Sequence, residues 1–121
     1  MIDKELKNAL MEQDHVKVFH EQESDMVYSA PHTFQFKNAG SGEFLGELKF
    51  QKGPIKETGI NGISNEVLLA IVLARLEGFQ KGHFACKENE IAVTKIEEAL
   101  LWMKKRTLDR QLKGVEGTNK K

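Results

Sequence analysis

An alternation of apolar and polar residues in the first half of the chain predicts a β-hairpin over residues 33–51. Residues 33–37 alternate at a period of two, and residues 44–50 repeat that alternation after a break. The break, residues 38–42, is rich in glycine and asparagine, as is typical of a turn between antiparallel strands. Gly53-Pro54 then ends the second strand, because proline cannot donate to a ladder.

Apolar residues at helical spacing fill the second half of the chain and predict two helices. The first covers residues 64–81, with Ser64 as its N-cap and Gly82 as its end signal. The second covers residues 87–113 and would be roughly 40 Å long at ~1.5 Å per residue. Its main stripe is formed by Val93, Ile96, Leu100, Met103 and Thr107. Residues 114–121 are expected to be a loose tail.

Residues 1–30 are poorly patterned. Residues 1–13 have the spacing of a short amphipathic helix, and residues 16–19 and 26–29 have the composition of short strands. Together the patterns predict an α+β fold in which an N-terminal antiparallel β-sheet is followed by a long antiparallel two-helix hairpin. At 121 residues the chain suits a single domain, residues 1–121.

The length of the second helix predicts that the protein is a homo-oligomer. Ala92, Ala99, Leu101 and Trp102 widen its apolar stripe beyond one face. A chain of 121 residues cannot cover so long a helix on several sides, and exposed apolar patches of that size mark interfaces. We therefore expect at least a two-fold dimer packed through the helical hairpins.

Composition and charge exclude several classes of protein. The net charge of zero argues against binding of a nucleic-acid polymer, since such proteins are usually basic. The chain has no apolar run long enough for a membrane helix and no signal-peptide core, which predicts a cytosolic protein. One cysteine, Cys86, excludes an intrachain disulfide.

Candidate catalytic residues are sparse. His83 and Cys86, three positions apart, are conceivable as a nucleophilic pair or half a zinc site, but no second pair with ligand spacing accompanies them. Glu97 and Glu98 are adjacent, so on a helix they point about 100° apart and do not face each other. No phosphate loop or nucleophile elbow occurs. We therefore expect no catalytic residue, no metal site and no cofactor.

Arginines near the end of the second helix are candidate anion ligands. Arg106 and Arg110, four positions apart, share a helix face, and a guanidinium suits the geometry of phosphate. An ion pair with Asp109 is an equally good interpretation from spacing alone. The neighbouring Lys104, Lys105 and Lys113 are interpreted as cations that stabilise the C-terminal end of the helix.

The turn between the helices carries residues that could hold a base. Phe79 and Phe84 could stack on it, although aromatics at such spacing also serve as core. Asn89 could contact a purine edge or simply cap the helix. Asn89 and Arg106 lie 17 positions apart on one helix, roughly 25 Å. The turn and the open end, where Lys56 is also expected, could meet one ligand only if two hairpins pack antiparallel.

Five separate motifs, in order, resemble the phage Thoeris anti-defence protein one family. They are GPIKETGINGISNE at residues 53–66, FACKEN at 84–89, TKIEEAL at 94–100, KRT at 105–107 and GVEGT at 114–118. The resemblance runs from Phe34 to Thr118 and is not evident in residues 1–30. A related hairpin occurs in phage anti-CBASS sponges.

The resemblance implies a sponge in the host cytoplasm. Such proteins bind cyclic ADP-ribose isomers (glycocyclic ADP-ribose) made by bacterial Toll/interleukin-receptor-domain enzymes and withhold them, uncleaved, from the Thoeris effector. Some also take up cyclic di- or trinucleotides at separate sites in a hexamer, a trimer of dimers. By position, Phe79 resembles the family's base-stacking aromatic, Asn89 its polar contact, and Arg106 and Arg110 its phosphate contacts. Lys56 stands where some members are expected to have arginine, and Phe84 is a further candidate.

Two other hypotheses stay open from the sequence. The hairpin could be a protein-interaction module with no nucleotide ligand. Alternatively, the chain could be an enzyme that acts on a cyclic nucleotide through His83 and Cys86.

Overall fold

The computed structural model describes residues 1–11 and 15–114. The chain divides into a sheet unit, Met1–Gly53 with Thr58–Gly62, and a helical unit, Pro54–Glu57 with Ile63–Lys121. The N-terminal antiparallel sheet and the helical hairpin that follows it confirm the predicted α+β class.

Among its described residues, the sheet unit contains four antiparallel strands that neighbour one another in sequence order. They are β1 (Ile2–Glu5), β2 (Val16–Glu21), β3 (Thr33–Asn38) and β4 (Phe44–Lys49). The hairpin predicted over residues 33–51 is therefore confirmed. The Asn38 side-chain oxygen accepts the N–H groups of Gly40 at 2.8 Å and Ser41 at 3.0 Å, which closes the turn between β3 and β4.

The N-terminal expectations are partly wrong. Ile2–Glu5 form strand β1, not the first turn of a helix, and among residues 1–11 only Ala9–Met11 are helical, as a single 3-10 turn. β2 offers β1 a ladder of backbone partners, and that long-range pairing overrides a weak local helical pattern. Residues 12 and 13 lie outside the described residues. The strand expected at 26–29 is instead a turn closed by a Val27–Ala30 bridge, whereas the strand at 16–19 is confirmed within β2.

A buried carboxylate ties the end of β2 to the start of β3. Glu21 accepts the backbone N–H groups of His32 at 2.9 Å and Thr33 at 3.2 Å, and only 9% of the residue is exposed. Burial raises the pKa of the Glu21 carboxyl. The backbone hydrogen bonds and the nearby His32 lower it by more, so that the pKa lies below its ordinary value. The ionised form is thus the one that stabilises the fold.

Glu21→Gln is expected to reduce stability at neutral pH and to matter little in acid. Because the folded-state pKa is lowered, the carboxylate stabilises the fold above the unfolded-state pKa, and this contribution is lost as the pH falls through the folded-state value. We expect the free energy of unfolding to fall by about 1–2 kcal/mol at neutral pH. Urea unfolding at fixed protein concentration measures this, with the exposed Glu23→Gln as control. An equal loss at acid pH would contradict the role of charge.

A short helix, α1 (Ile55–Thr58), follows β4, and its first three residues belong to the helical unit. Among its described residues, the helical unit also contains a hairpin of α2 (Asn65–Gln80) and α3 (Lys87–Leu112), which pack against each other. The two predicted helices are confirmed to within a residue at each end. The Ser64 hydroxyl caps α2 by accepting the N–H of Val67 at 3.1 Å. Gly114 follows the C-cap of α3 with a positive φ of 70°, a backbone conformation that favours glycine at a helix end. The expected tail from Val115 onward lies outside the described residues.

The hairpin does not cover its own apolar surface. Over residues 1–11 and 15–114, no large hydrophobic side chain is fully buried. The predicted stripe of α3 is half-buried along its length. More than a third of the residue's surface stays exposed at each of Val67, Ile71, Val72, Ile91, Leu101, Trp102, Leu108 and Leu112. No helix within the described ranges is long and apolar enough to cross a bilayer.

Candidate functional site

The interhelical turn brings the two predicted aromatic residues together. The ring centroids of Phe79 and Phe84 lie 6.0 Å apart, and their planes meet at 70°. This edge-to-face arrangement is a favourable geometry for an aromatic pair. Phe79 is 36% exposed and Phe84 is 74% exposed, so Phe84 presents the more open ring. Both are placed where a flat base could reach them.

Asn89 joins the same end of the hairpin. Its side-chain Nδ2 donates to the carbonyl oxygen of Phe84 at 3.4 Å, and its backbone N–H donates to the Cys86 sulfur at 3.4 Å. Phe79, Phe84 and Asn89 thus form one group, the tip cluster. The structure brings together these three of the six predicted site residues.

Arg75 belongs beside the tip cluster and was missed by the sequence interpretation. Its guanidinium carbon lies 5.2 Å from the centroid of the Phe79 ring, within range of a cation–π contact. The sequence could have indicated this contact, because Arg75 and Phe79 are four positions apart and such residues are neighbours on a helix. The contact places a cation against the Phe79 ring.

The last turns of α3 form a basic cluster. Trp102, Lys105, Arg106, Asp109, Arg110 and Lys113 line an open depression of about 410 Å³. Asp109 forms an ion pair with Lys105, with 2.8 Å between Nζ and Oδ2. Arg106 is exposed and Arg110 is half-buried. The depression therefore combines four cations with one carboxylate, a surface suited to an anion.

Trp102 gives the basic cluster a flat apolar wall. The sequence interpretation assigned it to a wide apolar stripe, yet 64% of its surface is exposed and it lines the depression. Trp102, Arg106 and Arg110 follow one another at spacings of four, which places them along one face of α3. That spacing was visible in the sequence.

Lys56 lies on α1 and is exposed. Within the described residues, no hydrogen bond or ion pair joins it to the tip cluster or the basic cluster. Its predicted part in the site stays a prediction.

α3 runs without interruption from Lys87 to Leu112, so that the tip cluster and the basic cluster are separated along a rigid rod. Asn89 and Arg106 are 17 residues apart, which corresponds to roughly 25 Å at ~1.5 Å per residue. One chain therefore cannot close both clusters around a compact ligand.

Cys86 has a structural role that the sequence did not reveal. Its sulfur accepts the N–H of Asn89 and thereby caps α3. The interpretation of Cys86 as a small buried residue near a helix start is wrong in its burial, since the residue is exposed, and right in its position at the start of α3. Over residues 1–11 and 15–114, no group of three His, Cys, Asp or Glu side chains is arranged to hold a metal ion.

Comparison with known proteins identifies the family. Residues 46–108 match the family model described as Acb2/Tad1, hairpin domain. The chain is also 42% identical to Thoeris anti-defense 1 of Bacillus phage SBSphiJ7 over 141 aligned positions, which cover 98% of this chain and 99% of that protein. The chain belongs to the Thoeris anti-defense 1 family. The resemblance seen in the motifs is therefore confirmed.

The residues that match the family include the tip cluster and part of the basic cluster. The Acb2/Tad1 hairpin match includes α2, the whole tip cluster and α3 as far as Leu108, and thus contains Arg106 but ends before Arg110. The alignment with Thoeris anti-defense 1 also extends into residues 1–30, where the sequence alone showed no resemblance. The sheet unit is therefore part of the similarity as well as the hairpin.

Proposed function

We propose that this chain is a phage counter-defence protein that sequesters cyclic ADP-ribose isomers in the host cytoplasm and so blocks Thoeris immunity. The observation that carries the proposal is the near-full-length similarity to a phage protein named Thoeris anti-defense 1. The ligand is bound and withheld, and it is not cleaved. Cyclic di- or trinucleotides are a further class of ligand that a homo-oligomer could take up at other sites.

The two clusters supply the chemistry that such a ligand needs. A cyclic ADP-ribose isomer has an adenine base and a pyrophosphate. Phe79 and Phe84 offer aromatic surface, and Asn89 offers an amide beside them. The basic cluster offers two guanidinium groups and an exposed indole. Lys56 would add one cation to the phosphate side.

The separation of the clusters supports a site shared between two protomers. If two hairpins pack antiparallel, the tip cluster of one chain lies beside the basic cluster of the other, and two equivalent pockets form. The apolar residues that stay exposed along α2 and α3 supply a surface that such packing would bury. A dimer is the smallest assembly that fits, and a hexamer built as a trimer of dimers would repeat it.

The energies of these contacts are of the order that sequestration needs. Nanomolar affinity corresponds to about 12 kcal/mol. Stacking on an aromatic contributes ~1–3 kcal/mol per base, and each charge-assisted phosphate bond contributes ~1.5–3 kcal/mol. One stacked base with two bidentate arginines approaches that value in a preformed pocket, and no activated nucleophile is needed.

Ligand loaded onto the protein is expected to be released intact by heat. The purified chain is incubated with glycocyclic ADP-ribose, freed of unbound ligand, and denatured, and the released molecules are identified by mass spectrometry. Storage predicts near-complete recovery of the original mass, because only non-covalent contacts hold the ligand. Recovery of a cleaved product that disappears with Cys86→Ala would instead support an enzyme.

The same measurement separates the sponge from a protein-interaction module. A module of that kind would retain no nucleotide, and Phe79→Ala would leave its binding of a protein partner unchanged. Recovery of no ligand from the intact chain would overturn the proposed function.

A further inference from the structure

The side chain of Gln80 closes the interhelical turn. Its Nε2 donates to the carbonyl oxygen of Cys86 at 3.0 Å, and its Oε1 accepts the N–H of Cys86 at 3.0 Å. One amide thus satisfies both backbone groups of one residue, as a neighbouring strand would. Gln80 is the last residue of α2 and Cys86 is the N-cap of α3, so this pair, the turn lock, joins the two helix ends.

The turn lock encloses the most exposed aromatic of the tip cluster. Phe84 lies between Gln80 and Cys86, and its carbonyl oxygen accepts from Asn89 Nδ2. Further turn bonds join Gly82 N–H to the Phe79 carbonyl at 3.2 Å and Ala85 N–H to the Gly82 carbonyl at 3.3 Å. The backbone that carries Phe84 is therefore held at several points while its ring stays open to solvent.

We propose that Gln80 is a positioning residue for the ligand's base, acting through Phe84. The inference rests on the proposed function, and assigns a role to a residue outside the six binding candidates. A turn that is already ordered loses little conformational freedom when a base stacks on it. Without the lock, fewer hydrogen bonds hold residues 81–85, so that part of their ordering, and of the alignment of Phe84 with Phe79, would have to occur during binding.

The helices themselves do not depend on the lock. The half-buried stripe of α3 packs on α2, and α3 keeps its own N-cap through the Cys86 sulfur. Removing the Gln80 amide should therefore loosen the turn and leave the helical pairing. A loosened turn with intact helical pairing distinguishes a positioning role from a general contribution to stability.

Gln80→Met keeps the length of the side chain and removes both hydrogen bonds. In calorimetric titration of the full-length oligomer with purified glycocyclic ADP-ribose, we expect a loss of affinity of about fivefold to thirtyfold. Gln80→Glu keeps only the acceptor and is expected to lose at least as much. Glu77→Gln, on the same exposed helix end, is the matched control and should bind as the unsubstituted chain does. Native binding by Gln80→Met would overturn the inference.

A double-mutant cycle tests whether Gln80 acts through Phe84. In a Phe84→Ala background, Gln80→Met is expected to have almost no further effect, whereas in an Arg106→Ala background its fold-change should persist. Equal fold-changes in all backgrounds would indicate a merely structural role and overturn the proposal.

Hydrogen exchange tests the lock without any ligand. The Cys86 amide should exchange at least about tenfold faster in Gln80→Met than in the unsubstituted chain, while the amides in the middle of α3 stay protected. Unchanged exchange at Cys86 would contradict the lock. Failure of the unsubstituted chain to bind, with the exchange difference present, would locate the error in the proposed function and remove the base-positioning role with it.

Discussion

Arg106→Ala is expected to lower the affinity for glycocyclic ADP-ribose by at least about 100-fold, while the oligomer persists. A guanidinium that holds phosphate through two charge-assisted bonds, each worth ~1.5–3 kcal/mol, accounts for a loss of that size. Arg106 is exposed, and among the described residues no ion pair ties it to an acid. Its removal should therefore not disturb the fold. Calorimetric titration measures the affinity, and light scattering measures the assembly.

Two neighbouring substitutions show whether the effect belongs to Arg106 or to charge in general. Lys105 is already paired with Asp109 at 2.8 Å, so Lys105→Ala should change affinity by no more than about threefold. Arg106→Lys keeps the charge and loses the planar fork, and an intermediate loss is expected. Equal affinities for the Arg106→Ala and Lys105→Ala variants would contradict the proposed role of Arg106.

The fold of the second half could be predicted because its determinants are local. Ser64 at the start of α2 and Gly114 after α3 mark their helices with chemistry that acts within one turn. The turn at residues 38–42 is equally local, since Asn38 builds it from its own neighbours. Strand β1 could not be predicted, because Ile2–Glu5 are extended only through pairing with β2.

The individual residues of the candidate site could be predicted, but the contacts that hold them in place could not. The resemblance drew attention to the tip cluster, and the structure brings all three of its residues together. The turn lock depends on a side chain reaching the backbone of Cys86 six residues away, for which the helical period gives no signal. Trp102 was visible at the right spacing, but a tryptophan in a helix is equally typical of a core. The single domain and the role of Lys56 stay predictions.

A sponge built from two protomers is expected to allow two defective chains to restore each other. A tip variant, Phe79→Ala with Phe84→Ala, and a basic-end variant, Arg106→Ala, should each bind at least about 100-fold more weakly than the unsubstituted chain. In a mixed pair, the intact tip of the basic-end variant meets the intact basic cluster of the tip variant. One of the two pockets is then complete. Mixed pairs purified through two different tags should bind about half the ligand of the unsubstituted dimer at native affinity.

The reverse mixture is the control that makes the result decisive. One chain carries all three substitutions and its partner carries none, so that mixed pairs contain the same mutations arranged differently. If each pocket takes its tip and its basic end from different chains, both pockets are now broken and binding is lost. If one chain could bring Phe84 and Arg106 to the same ligand, this mixture would bind and the first would not. Because ~25 Å of unbroken helix separates the two clusters, we expect the reverse mixture to lose binding and the first mixture to bind. Binding by the reverse mixture and not by the first would refute the shared pocket.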